Sequence, residues 1–271
     1  HATLLFLTAS GMCHWLKVYR IPEGDRTGRG RPLVNLLNVK DEEICAVVPV
    51  ADFKQGFLLT ATRNGIVKKT ALSAYKNVRR DGIIALKCGE GDHLIGATIT
   101  SGNQDVMLVT RQGKAARFHE SEMRAMGRVS GGVKGIRLRP GDEVSQLVVP
   151  AEDAGDSTLL TVCEHGYGKR TLIRDYPTKH RGGMGVIDIQ TSKRNGDVVA
   201  CIVVEETDQV MMITRGGQMI RTPVAGVTII GRNTGGVRLF SMADGANVIG
   251  MTIVMDDDAD VVDADADVVD A

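Results

Sequence analysis

An all-β fold of about five repeated units is what this sequence predicts, and three observations predict it. Glycines closing short polar turns stand at Gly11, Gly65, Gly113, Gly166 and Gly217, in steps of 54, 48, 53 and 51 residues. A Thr or Cys stands three residues before each of them: Thr8, Thr62, Thr110, Cys163 and Thr214. The runs beside these turns are short, rich in Val, Ile and Thr, and bounded by Gly, Asn, Asp or Pro, which is a strand pattern. A period of this length marks stacked or radial units, because one unit cannot bury its apolar face alone. Five units of four strands each, set radially, give a propeller-like ring whose edges are short and covered.

Taken in order, repeat one is about residues 1–52. Its apolar runs fall at 3–8, 12–19, 33–37 and 44–50, and its loop carries Arg26, Arg29 and Arg31 among glycines. Repeat two, about 53–102, has Arg79 and Arg80 in the corresponding loop. Repeat three, about 103–154, places Arg124, Arg128 and Lys134 around Gly131-Gly132. Repeat four, about 155–206, has Lys179 and Arg181 beside Gly182-Gly183, and repeat five, about 207–255, has Arg232 and Arg238 beside Gly235-Gly236. Asn64-Gly65, Gln112-Gly113 and Gly216-Gly217 are hairpin turns, where a positive φ is easiest for glycine. Only residues 121–126 offer a turn or two of helix.

The formal net charge of zero hides an asymmetry. Residues 256–271 hold eight aspartates and no Lys or Arg: Asp256, Asp257, Asp258, Asp260, Asp263, Asp265, Asp267 and Asp270. The remainder has 33 basic against 25 acidic residues, a body at +8. The acidic stretch has too little variety to fold alone, so residues 1–255 form the expected domain and 256–271 a disordered tail. Five cysteines, with no Cys-x-x-Cys, point to reduced thiols in a cytosolic protein. No apolar run approaches the ~20 residues that span a bilayer, so no membrane partner is expected.

Catalytic signals are weak. The histidines are not spaced as metal ligands. The stretch Gly166-Tyr167-Gly168-Lys169-Arg170-Thr171 has Arg where a phosphate-binding loop needs Ser or Thr. Aspartates after Gly91, Gly141 and Gly196 cap turns by bonding their own backbone. No catalytic residue, metal or cofactor is expected in this chain.

What repeats is a cation. Four residues after the turn glycine come Lys69, Arg117, Arg170 (with Lys169 beside it) and Arg221; the first repeat has Trp15 there and Lys17 two residues later. Equivalent positions in a radial array face the same way, so these cations and the arginine–glycine loops are expected to form one basic band. Glycine lets backbone N–H groups approach phosphates while guanidinium pairs with their oxygens. Ten aromatics are too few for a row of stacking platforms, and no helix is available to enter a groove. The expected partner is double-stranded DNA, bound largely without regard to sequence. The alternative is a scaffold that holds an acidic protein on the same band.

Several motifs carry a resemblance. Leu16-Lys17-Val18-Tyr19, the stretch from Gly30 through Arg31, Pro32 and Asn35 to Leu37, Gly65-Ile66-Val67-Lys68-Lys69-Thr70, Arg124-Ala125-Met126-Gly127, the Gly166 to Thr171 stretch, Tyr176-Pro177-Thr178-Lys179 and Ile230-Gly231-Arg232-Asn233-Thr234 together resemble the C-terminal domain of the A subunit of bacterial DNA gyrase, over essentially the whole chain. The resemblance implies a β-pinwheel whose blades exchange strands, wrapping DNA on its outer rim in support of negative supercoiling, with an acidic tail that regulates wrapping. The partners it implies are the B subunit plus the rest of the A subunit. The implied setting is cytoplasmic and nucleoid-associated, with the isolated domain a monomer. The family's strand-cleaving Tyr lies in the preceding domain, so binding is implied and cleavage is not. Two departures stand out. The family usually has six repeats, and its signature Gln-Arg-Arg-Gly-Gly-Lys-Gly is expected before His1; the nearest counterpart is Arg181-Gly182-Gly183-Met184-Gly185. The equivalent domain of topoisomerase IV is a close variant of this reading. With the first family repeat missing, the ring is expected to be an open arc or to carry a gap between repeats five and one.

Overall fold

The computed structural model describes residues 2–24, 30–39, 42–77, 79–154, 156–242 and 245–254. Among the described residues, nineteen strands fall into the five repeats. Repeat one supplies β1 (Thr3–Thr8), β2 (Met12–Lys17) and β3 (Ile44–Val50). Repeat two supplies β4 (Phe57–Thr62), β5 (Ile66–Ala71), β6 (Ile83–Ile84) and β7 (Leu94–Thr100). Repeat three supplies β8 (Asp105–Thr110), β9 (Lys114–His119), β10 (Val133–Lys134) and β11 (Val144–Val148). Repeat four supplies β12 (Thr158–Cys163), β13 (Tyr167–Leu172), β14 (Val186–Ile187) and β15 (Val198–Val204). Repeat five supplies β16 (Gln209–Thr214), β17 (Met219–Pro223), β18 (Val237–Arg238) and β19 (Val248–Val254). The described helical turns are all short 3-10 turns, such as Glu120–Glu122 where 121–126 suggested one.

The periodic Thr and Gly are explained by one turn. Gly113 N–H donates to the Thr110 carbonyl at 3.0 Å, and the Thr110 hydroxyl accepts from Lys114 N–H at 3.1 Å. The same hydroxyl contact recurs at Thr8, Thr62 and Thr214. Gly113 has φ +75°, and a Cβ there would lie 2.0 Å from the Ile189 carbonyl oxygen of the next repeat. The turn glycine is thus required twice, for its dihedral and for the strand that crosses it.

That crossing sets the architecture. The sheets run β3-β1-β2-β6, β10-β5-β4-β7, β11-β8-β9-β14 and β15-β12-β13-β18, and a three-stranded β17-β16-β19. In each of the first four, the two-residue strand beside the hairpin comes from the following repeat: β6, β10, β14 and β18. The blades are four-stranded by exchange, and the fifth, with no repeat following it in the structure, has three strands among the described residues. At the opposite edge, β3, β7, β11, β15 and β19 pack against one another in chain order. Radial blades converge on their axis, so this edge is axial and the donated strands form the rim.

Four cores join consecutive blades. Leu5, Leu7 and Val48 meet Leu58 and Leu94 between blades one and two. Leu59 and Val67 meet Leu108 and Phe118 between two and three. Met107 and Val109 meet Leu159 and Val198 between three and four, and Leu160 and Val162 meet Val210 and Met212 between four and five. No core of described residues joins blade five to blade one. Residues 33–37 were expected to be a strand; instead Leu33–Asn35 is a 3-10 turn. No neighbouring blade edge is offered to it, and Leu33, Leu36, Leu37 and Val39 cover Phe6 and Leu16 of their own blade. All five cysteines are unpaired, and burial pushes the Cys13 and Cys163 thiols up to about 12.

Candidate nucleic-acid interface

The predicted cations separate into two sets. Three of those taken as surface groups are buried: Lys69, Lys169 and Arg170. Lys69 donates to the Glu120 carbonyl at 2.8 Å and lies 3.6 Å from its carboxylate. Arg170 Nε donates to the Val227 carbonyl at 2.7 Å, and its NH1 group pairs with Glu206 at 2.5 Å. Arg117, mostly covered, donates to the carbonyls of Ile173 at 2.7 Å and Tyr176 at 3.1 Å, and pairs with Asp105. In each case the receiving carbonyl belongs to the 3-10 turn of the next repeat or the residue just after it. This correction has a plain cause: the fourth residue past the turn glycine points between blades, where a cation latches its neighbour. Arg221 contacts Gln209 Oε1 at 2.7 Å within its own blade.

Lys169 lies one position earlier and is fully buried. It donates to the carbonyls of Gly231 at 3.1 Å and Arg232 at 2.9 Å, and sits 3.9 Å from buried Asp188. Burial holds the Lys169 ammonium below the usual lysine range and pushes the Asp188 carboxyl up. Lys68, a residue the sequence reading passed over, does the same for repeat three. It donates to the carbonyls of Ala85, Gly127, Arg128 and Ser130. Burial first, and the Arg128 guanidinium second, lower its pKa to about 8. These two lysines are why the arginine–glycine loops have a defined shape: the loop carbonyls turn inward onto an ammonium. The signal was the doublet Lys68-Lys69 matching Lys169-Arg170.

The loop arginines form the second set. Arg128 NH1 donates to the Ile84 carbonyl at 3.1 Å, Arg181 NH1 to the Lys134 carbonyl at 3.1 Å and Arg232 NH1 to the Ile187 carbonyl at 2.9 Å. Each acceptor is the second residue of the strand donated to the preceding blade. Three guanidinium groups are thereby placed at equivalent positions along the rim, against β6, β10 and β14 of the four donated strands. Exposed Lys134 and Arg238 lie on those strands, and exposed Lys179 precedes Arg181. Arg238 and Arg194 both lie over the Tyr167 ring, at 5.5 Å and 4.9 Å; Arg194 was not singled out in the sequence. Exposed Arg79 and Arg80 share a 720 Å³ cleft with Arg20, Trp15 and His14. Arg31 is exposed, while Lys17 is half-buried, donating to Thr3 Oγ1 at 2.9 Å beside the Trp15 ring. Arg26, Arg29 and the eight aspartates of 256–271 lie outside the described residues. Asp92 and Asp142 accept from the next residue's N–H, at 2.9 Å each, as expected, and also reach the N–H of Asn64 and Gln112 in the neighbouring hairpin turns; Asp197 instead pairs with Arg111 at 3.2 Å.

Guanidinium groups at equivalent positions of successive blades, each held from behind by a carbonyl, can pair with the oxygens of a polyanion. The family model described as the DNA gyrase C-terminal domain, beta-propeller, matches residues 2–50, 56–101, 104–150, 157–205 and 208–255. The chain is 45% identical over 258 residues to the DNA gyrase A subunit of Salmonella typhimurium and 43% identical over 250 residues to that of Haloquadratum walsbyi. These cover 94% and 90% of the chain, but it spans only 29% of the length of either relative. Among solved structures, the C-terminal domain of DNA topoisomerase IV superposes with a TM-score of 0.85 at 26% identity, over 93% of this chain and 79% of that one. A DNA gyrase A C-terminal domain superposes at 0.81 with 24% identity, over 94% and 83%, a likeness of fold. With five matched blades and this identity along nearly its whole length, the chain belongs to the family of DNA gyrase C-terminal β-propeller domains.

Proposed function

We propose that this chain binds duplex DNA along its rim and bends it around the blades, as the wrapping element of a gyrase A subunit supporting negative supercoiling. The observation that carries this is that Arg128, Arg181 and Arg232, each on its loop, bond to the equivalent carbonyl of successive donated strands. Contacts of this kind reach phosphates and position the duplex without reading bases. Bending 20–30 base pairs by 40–90° costs roughly 1–6 kcal/mol, and a band of phosphate contacts offsets it through counterion release. The partners of the whole protein would be the B subunit plus the remainder of the A subunit, in the cytoplasm. No catalytic group is assigned here; strand cleavage would fall to another part of the parent enzyme.

Replacing Arg79, Arg80, Arg128, Arg181 and Arg232 by Ala tests the rim. Duplex affinity should fall alike for all sequences, and the slope of log affinity against log salt should flatten by about 0.9 per lost contact. A variant with wild-type affinity and slope removes the rim from the proposal. The eight tail aspartates are proposed to compete with DNA for the same band, as a tether at Met255 gives an effective concentration near mM. The same titration on a chain truncated after Met255 should show tighter binding, most at low salt where screening is weakest; equal affinity there rejects the competition.

A further inference from the structure

Ala85, Gly135, Asp188 and Leu239 hold one position in the array. Each follows a donated strand and gives its N–H to the turn glycine of the blade behind: Gly11, Gly65, Gly113 and Gly166, at 2.8, 2.8, 2.8 and 2.9 Å. Three of the four are uncharged, so the bond to glycine does not call for a carboxylate. Asp188 nevertheless places one there, fully buried. A buried carboxylate is costly unless it is paired and hydrogen-bonded, and this one is both. It accepts from Thr161 Oγ1 at 2.9 Å and from the Tyr176 hydroxyl, and Lys169 Nζ lies 3.9 Å away.

These partners lead to one rim group. Arg232 is held at three points. Its Nη1 donates to the Ile187 carbonyl at 2.9 Å, its guanidinium lies 5.9 Å from the centre of the Tyr176 ring, and its own carbonyl accepts from Lys169 Nζ at 2.9 Å. Ile187 is joined to Asp188 by the peptide bond, Tyr176 by its hydroxyl and Lys169 by its charge. The loop of repeat three has the same frame without the carboxylate. Lys68 donates to the Arg128 carbonyl, and Arg128 Nη1 to the Ile84 carbonyl at 3.1 Å, but the residue after Ile84 is Ala85. Tyr75, at the end of the 3-10 turn of repeat two, donates to the Ala85 carbonyl at 3.4 Å. Lys169 and Arg232 thus gather around a buried anion, whereas the Arg128 charge bears on Lys68 with no carboxylate between them.

We propose that Asp188 is the positioning residue for Arg232: it fixes the ring, the loop carbonyl and the strand end that hold this guanidinium for a backbone phosphate. The inference rests on duplex binding at the rim, and Asp188, being covered, touches no DNA itself. Charge alone predicts the reverse effect. Asp188→Asn removes a negative charge, which through the field of the protein should tighten binding to a polyanion. Loss of positioning should weaken it.

The test is duplex affinity against salt for the wild type, Asp188→Asn, Arg232→Ala, these two together, and Asp188→Asn with Arg128→Ala, each shown by circular dichroism to be folded at the working temperature. Arg232→Ala should flatten the slope of log affinity against log salt by about 0.9. Asp188→Asn should weaken binding and flatten the slope by at least about half as much. Combined with Arg232→Ala it should bind no more weakly than Arg232→Ala alone, while the losses from Asp188→Asn and Arg128→Ala should add. Tyr176→Phe keeps the ring and removes the hydroxyl. It should also lower affinity without adding to Arg232→Ala, and it carries the test if Asp188→Asn does not fold. Wild-type or tighter binding by folded Asp188→Asn, or by Tyr176→Phe in its place, overturns the proposal. So do losses that add to those of Arg232→Ala, the mark of a merely structural role. If Arg232→Ala itself binds as the wild type does, Arg232 leaves the rim and the proposal falls with it. If Arg232→Ala weakens binding and Asp188→Asn does not, rim binding stands and the proposal alone fails.

Discussion

Lys169 and Arg181 are both cations of repeat four, 12 residues apart in a chain with 33 Lys and Arg, yet they do opposite work. Lys169 is fully covered, with its ammonium on the carbonyls of Gly231 and Arg232 and beside Asp188. Arg181 donates from Nη1 to the Lys134 carbonyl and from Nε to the Glu122 carbonyl at 3.2 Å, and stays only part-covered at the rim. The inner cation shapes the loop of the next blade; the outer cation, carried on such a loop, is presented to solvent. A periodic charge therefore serves assembly where it is buried and is left to face solvent where it is not, and depth in the blade divides the two.

The largest effect should come from breaking an inner cation. Lys169→Ala leaves Asp188 buried with only the hydroxyls of Thr161 and Tyr176. Removing one partner of a buried pair costs about 3–5 kcal/mol. Urea denaturation should show that loss in the transition of the blades four and five region, because array stability is a sum over neighbours. Arg181→Ala, by contrast, should cost less than about 1 kcal/mol, as expected for a charge that stays in contact with water. Equal losses would erase the distinction between the two sets.

A smaller effect should appear with pH at Lys68. Its folded pKa, about 8, lies below the ordinary lysine value because of burial and the nearby Arg128. The folded state thus holds the proton less tightly than the unfolded chain. Charged Lys68 costs stability below pH 8, and that cost is relieved as pH rises from about 8 to about 10.4. The melting temperature of the wild type should gain on that of Lys68→Met across this window. Parallel curves would mean the carbonyl cage holds the ammonium as firmly as water does, and that inner cations carry no such cost.

Five repeats, their hairpin strands and their turns were legible in the sequence because a turn is a local event, though 33–37 was not the strand expected. Gly113, with Thr110 three residues before it, needs only its own dihedral and one hydroxyl contact, and both are written in the order of residues. The motifs quoted for the family, from Gly65-Ile66-Val67-Lys68-Lys69-Thr70 to Ile230-Gly231-Arg232-Asn233-Thr234, identified it for the same reason: they are contiguous. The exposed rim arginines Arg79 and Arg80 were legible too, since glycine-flanked loops lie outside. What only the tertiary structure decided is which side of the blade a residue belongs to once strands are exchanged. Val186–Ile187 is sequentially part of repeat four but completes the sheet of repeat three. That exchange turns Lys69, Arg117 and Arg170 inward onto a neighbour's carbonyls. Depth in a packed array depends on the unit next door, and no spacing within a single repeat records it.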